Sequence, residues 1–270
     1  MLLSLRNRLT VALCPTHIAV MELNRGWRPT PSNPQTFTCP SLPGEPAWHA
    51  PIAALRHWLE KNQRNTMDVE VIVSDRFVRY AQMPWSDEVQ RPSEMAVFSR
   101  IHFEALFGES AADWEIQTDY CDYEKGGIGC GIDKALIDAL RTLLATYKMQ
   151  LTSLQPYFMR AFNRWRNDLS QNALLCVIES GQCVLASHRE GAWHSIRNVR
   201  LTENADIELP ALIAREILLQ GLENQCAVYV HTLDKIDTTH LRQAQKANVF
   251  AVPGANNQMA GYTMLQCNVL

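Results

Sequence analysis

This chain holds residues able to do chemistry, but they lack the spacings that phosphate, metal or nucleophile sites require. The run Gly126 to Gly131 (GGIGCG) precedes a helical pattern and looks like a phosphate loop. It misses the G-x-G-x-x-G spacing, and no acidic residue is well placed about 20 positions further on to hold a ribose. The reading it supports is a hairpin turn with small strand residues. No glycine precedes a lysine anywhere, so G-x-x-x-x-G-K-[ST] is absent, as are H-E-x-x-H and G-x-S-x-G. The eight histidines are scattered. His188 and His194 flank one turn and are expected to approach each other across it, yet two imidazoles fall short of a metal's ligand set. Ser180 and Ser187 have no evident base partner, and Glu203 with Asp206 reads as the lead-in to a helix.

The eight cysteines show no C-x-x-C pair and no zinc-like cluster with histidine. Cys176 and Cys183 lie in or beside apolar stretches, where cysteine serves as a small core residue. Buried free thiols fit a reducing compartment.

The 270 residues suffice for one large domain or two modest ones. With 47 % hydrophobic and 20 % charged residues, the composition excludes a disordered or fibrous chain. A formal charge of −3 gives no ground for a nucleic-acid partner. The opening MLLSLRNRLTVAL has basic residues but no uninterrupted apolar region or cleavage site, so it reads as the lead-in to a strand. The alternative is that Leu2, Leu3 and Leu5 with Arg6 and Arg8 touch a membrane surface. No run approaches the roughly 18 to 20 apolar residues that span a bilayer, so membrane association is expected through a partner only.

The elements that would position these residues follow from periodicity. RLTVAL and HIAVMEL read as a hairpin turning at Cys14-Pro15-Thr16. Six prolines between Pro29 and Pro46 leave room for one edge strand, Thr36 to Cys39. Pro51 opens a helix with Ile52, Leu55 and Leu59 on one face. Val69 to Val73 and Arg76 to Met83 read as a second hairpin turning at Ser74-Asp75. A helix over 88–107 ends at Gly108, and strands Trp114 to Tyr123 and Ile128 to Ile132 follow. Asp133 caps a helix carrying Leu136, Leu140, Leu143 and Tyr147. A short strand (151–154) and a helix (156–166) lead to the polar junction NDLSQN, Asn167 to Asn172. The pattern then restarts with strands over 173–178, 183–188 and 193–201. A helix (209–222), a strand (227–231), a helix (238–248) and a strand (249–252) complete it. Antiparallel meanders followed by alternating helices and strands imply an α/β layer structure in two similar halves.

Three segments, IAVMEL, VIVSDRFVRYAQMPW and ALLCVIESGQCVLAS, resemble the bacterial PilM, MshI and GspL cytoplasmic proteins of type IV pili and type II secretion. The middle one is the most specific, with Ser74, Asp75, Arg79, Tyr80, Pro84 and Trp85 in the family's order. The likeness runs loosely over residues 9 to 250. It implies an α/β actin-like ATPase (ribonuclease H-like) fold of two related halves, with mixed β-sheets flanked by helices and a cleft between them. The implied division is 1–167, with a β-rich inserted subdomain near 76–132, and 168–270. Catalytic members carry D-x-G in two hairpins, whose amides cradle phosphate and whose aspartates hold Mg²⁺. Here the first turn has no carboxylate, and Glu179-Ser180-Gly181 stands at the second. The resemblance therefore implies a pseudo-ATPase with no catalytic residues, no metal and no cofactor; Glu179, Ser180, Gly181 and Thr16 remain as a nucleotide-site remnant. It also implies a cytoplasmic scaffold binding the tail of a bitopic PilN-like inner-membrane protein, or an assembly ATPase's N-terminal domain, with a homodimer open. Trp85 and Trp193 are candidate partner anchors if exposed, and core residues otherwise. The alternative is a divergent ATPase or sugar-kinase-like enzyme with Glu179 as its carboxylate.

Overall fold

The computed structural model describes residues 7–24, 30–40, 43–62, 66–89, 91–120, 124–179, 181–202, 205–222, 226–232, 248–251 and 264–265. Readings that fall on residues 1–6, 121–123, 203–204, 238–247 or 267 lie outside the described residues, as do the side chains of Ser180 and Asp206. The chain divides into two compact units, one from 1–77, 134–160 and 257–270, the other from 78–133 and 161–256. These units cut the chain differently from a sequence-order boundary at 167/168.

In the first unit, β1 (Arg8–Cys14) and β2 (His17–Asn24) form the expected hairpin, with Cys14 opposite His17. β3 (Thr30–Pro31) and β4 (Gln35–Thr38) add to the outer edge of β2, where prolines cost no ladder bond. β5 (Asp68–Val73) lies parallel to β1 on its other side, and β9 (Gln150–Pro156) parallel to β5. Helices α1 (His49–Asn62) and α3 (Lys134–Thr146) supply the crossovers. Leu55 and Leu59 of α1, with Leu136 and Leu140 of α3, are buried, as the helical spacing requires. Each such side chain removed from water contributes roughly 1.5–3 kcal/mol. Arg8 is ion-paired with Glu70 at 3.0 Å, which ties the start of β1 to its sheet neighbour.

The second unit repeats this order. β10 (Ala173–Glu179), β11 (Gln182–Arg189) and β12 (Ala192–Arg200) form an antiparallel meander. β13 (Ala227–Thr232) then lies parallel to β10, and β14 (Asn248–Ala251) parallel to β13. One face of this sheet packs under α5 (Ala205–Leu219), around Leu174, Cys176, Ile178, Cys183 and Leu185. The same unit holds a small antiparallel sheet of β6 (Val78–Met83), β8 (Gly127–Asp133) and β7 (Trp114–Tyr120). β6 runs beside β12, and the Asn198 side-chain amide donates to the Val78 carbonyl at 3.1 Å.

The second hairpin expected over 69–83 does not form. β5 pairs with β1 and β9, β6 pairs with β8, and a 3₁₀ turn (Asp75–Phe77) separates them. Alternation gave each strand correctly, but strand patterns carry no label for their partners. The helix read from residue 88 starts later, as α2 (Pro92–Phe107), with proline in its first turn and Glu94 accepting the Arg91 N–H at 3.0 Å.

Candidate functional site

In open α/β sheets, ligand sites lie beyond the carboxyl ends of parallel strands. In the first unit that place holds two turns. Cys14 ends β1, Pro15 is buried, and Thr16 is exposed with its hydroxyl 3.2 Å from His17 Nδ1. Pro15 has no N–H to offer an anion. The Cys14 thiol is 3.5 Å from the Met264 thioether, and Met264 and Leu265 are both buried in this unit. The turn thus packs its thiol and proline ring inward, exposes the Thr16 hydroxyl and carries no carboxylate. Burial also lowers the pKa of His17, favouring its neutral form.

Beyond β5 the Ser74-Asp75 pair faces inward. The Ser74 hydroxyl accepts the Arg76 N–H at 3.2 Å. Asp75 is fully buried, and its Oδ1 accepts the Phe158 N–H at 3.0 Å, in the first turn of α4 (Tyr157–Trp165). Asp75 is therefore a helix cap supplied from a remote turn, satisfying one of the amides that a helix start leaves without partners. The sequence marked Asp75 as a turn residue within the family-like segment; nothing in it pointed to Phe158.

In the second unit, β10 ends at Glu179, paired across the hairpin with Gln182. Glu179 is 4 % exposed. Gly181 has φ 75°, the left-handed region glycine favours, and its carbonyl accepts the Leu201 N–H at 3.1 Å. The Gln182 amide nitrogen is buried with no hydrogen-bond partner among the described residues. The β10–β11 turn is thus tight and has a buried carboxylate and a buried carboxamide at its base. At the end of β13, His231 is buried and accepts the Trp165 indole N–H at 3.0 Å through Nδ1. Burial, with the Arg164 charge nearby, pushes its pKa down to about 3, so this imidazole stays neutral.

The remaining candidates separate. Trp193 is 2 % exposed and packs on Phe162 (centroids 4.6 Å apart) and His188 (5.3 Å), so it is a core residue and presents no anchor. Trp85 is half-buried, edge-on to Tyr120 at 6.0 Å, and donates to Asp87 at 2.9 Å. His188 is held against Trp193 while His194 is exposed. Among the described residues, no group of three or more His, Cys, Asp or Glu could hold a metal ion. Gly127, Gly129 and Gly131 of GGIGCG lie on β8 and make room for aromatic rings. A Cβ at Gly129 would sit 2.6 Å from Phe103, and one at Gly131 would sit 2.9 Å from Trp114. Among the described residues Cys14, Cys39, Cys130, Cys176, Cys183 and Cys226 form no disulfide.

No family model matches the sequence, and no curated protein matches it. Solved structures do. The chain is similar to a structure of the PilM-PilN type IV pilus biogenesis complex at TM-score 0.65 and 12 % identity, covering 91 % of this chain and 88 % of that one. It is similar to the cytoplasmic domain of EpsL, an inner-membrane component of the type II secretion system of Vibrio cholerae, at TM-score 0.56 and 8 % identity (97 % and 94 % covered). A Bacteroides thetaiotaomicron protein with an actin-like ATPase fold and unknown function matches at TM-score 0.63 and 10 % identity (97 % and 95 %). The chain has the actin-like ATPase fold, as the resemblance implied.

Proposed function

We propose that this chain is a non-catalytic cytoplasmic scaffold of a type IV pilus or type II secretion assembly platform in the inner membrane. It grips the cytoplasmic segment of a PilN-like membrane protein and is held at the membrane through that partner. The structural likeness to a PilM-PilN complex and to the EpsL cytoplasmic domain supports the setting. Among the described residues no helix is long and apolar enough to cross a membrane.

The observation that carries the reading is the first turn. Cys14-Pro15-Thr16 has no carboxylate to hold Mg²⁺ and lacks one backbone donor, and the Met264 thioether closes on Cys14. A triphosphate bound there would meet the exposed Thr16 hydroxyl but no carboxylate to hold its Mg²⁺, and Pro15 gives it no N–H.

One feature favours a second reading, a divergent ATP-binding enzyme. Glu179, Gly181 at φ 75° and the buried Gln182 amide stand where the second phosphate hairpin would act. Titration calorimetry with Mg·ATP separates the two. The scaffold reading expects no saturable heat from the wild-type chain. Tight binding abolished by Glu179→Ala would transfer the conclusion to the enzyme.

A further inference from the structure

We propose that the outward face of α5 is a self-association surface on which a second copy of this chain docks, helix antiparallel to helix, about a two-fold axis. This goes beyond the scaffold reading and does not depend on it. α5 turns Leu209, Ile213 and Glu216 toward its own sheet, and all three are fully buried. On the opposite side Ile207, Ala211, Ala214 and Leu218 follow at intervals of four, three and four residues, and all are exposed, Ile207 at 76 % and Leu218 at 65 %. That spacing is the 3.5-residue period of a two-helix seam. An ordinary surface helix carries polar residues on this side.

The flanks of the seam specify what covers it. Glu208 and Arg215 border it on one side, Pro210 and Ile217 on the other. In an antiparallel pair each flank meets its own kind across the seam. With Ala211 opposite Ala214 of the second copy, Ile207 falls opposite Leu218 at both ends, and Glu208 faces Arg215 twice. The two-fold axis makes the two charge contacts equivalent. A parallel pair would place the Glu208 and Arg215 flank against Pro210 and Ile217, with no charge to answer. The small central alanines allow close approach of the two backbones. Glu208 stays ionised at the seam, because hydrogen bonds from the Thr202 hydroxyl and backbone N–H lower its pKa. One 15-residue helix pair covers little area, so the association is weak and concentration-dependent.

Sedimentation velocity on the full chain from about 1 to about 300 µM tests this. The wild type is expected to shift from monomer toward dimer as concentration rises. Leu218→Glu, Arg215→Glu and Glu208→Arg are each expected to weaken the dimer about tenfold or more. Mixing the Arg215→Glu and Glu208→Arg chains in equal amounts is expected to restore it, because each introduced charge then faces its opposite. Thermal melts establish that each variant is folded, and Leu218→Glu leaves the Thr202 contact intact. A wild type monomeric throughout, a dimer insensitive to Leu218→Glu and Arg215→Glu, or no restoration on mixing would each overturn the proposal.

Discussion

Asp75, fully buried, holds the Phe158 N–H at the start of α4. Its type and its place after a buried strand announce a turn, but its partner lies 83 residues away. Sequence patterns report local geometry, and a cap supplied across the fold leaves no local trace. Asp75→Ala should lower stability by about 1–3 kcal/mol in urea denaturation, since the Phe158 N–H loses its acceptor in a buried setting. Asp75→Asn retains an oxygen and should cost less. The two tryptophan candidates should part in the same way. Trp193→Ala removes a buried ring and should cost about 3–5 kcal/mol of stability. Trp85→Ala should leave the fold standing and weaken partner binding about tenfold or more, measured by peptide titration. His231 gives a pH signature. Its folded pKa is depressed to about 3 from the ordinary 6.5, so the unfolded chain binds the extra proton between those values. Its contribution is therefore fully present above pH ~6.5 and is lost as pH falls toward 3, at about 1.4 kcal/mol per unit. Comparing unfolding at pH 7 and pH 5 for wild type and His231→Gln should show the smaller decline in the variant.

At the scale of elements, period and breakers sufficed for most strands and helices. The first hairpin, the meander of β10 to β12 and the amphipathic α3 came out within a few residues of their observed ends. Pairing did not come out between β5 and β6, because their alternating faces are satisfied by neighbours far along the chain. The glycine run was legible as turn and strand but not as a packing device. Its alternate glycines on β8 accept Phe103 of α2 and Trp114 of β7. Gly129→Ala should therefore cost about 1–3 kcal/mol through overpacking. Gly181→Ala, with open space at its Cβ and only the φ of 75° against it, should cost about 1 kcal/mol. Thermal denaturation of the two variants side by side distinguishes crowding from backbone strain.

At the scale of the molecule, the two sheets repeat one order, a meander followed by two parallel strands. That duplication was visible as a restart near Ala173, and the resemblance carried it to the fold. The composition of each unit was not visible, since residues 78–133 and 257–270 join elements distant in sequence. The same holds for the candidate site. The missing carboxylate at Cys14-Pro15-Thr16 could be read directly, but the Met264 contact that closes the turn could not. Together they describe a turn without a carboxylate whose thiol is packed against a thioether. The most direct measurement is fluorescence anisotropy of a labelled peptide, the cytoplasmic segment of a PilN-like protein from the same organism, titrated with this chain with and without Mg·ATP. A scaffold that grips this segment binds it saturably in the micromolar range, and nucleotide leaves that binding unchanged. No saturation at high micromolar chain, or binding that appears only with Mg·ATP, would contradict it.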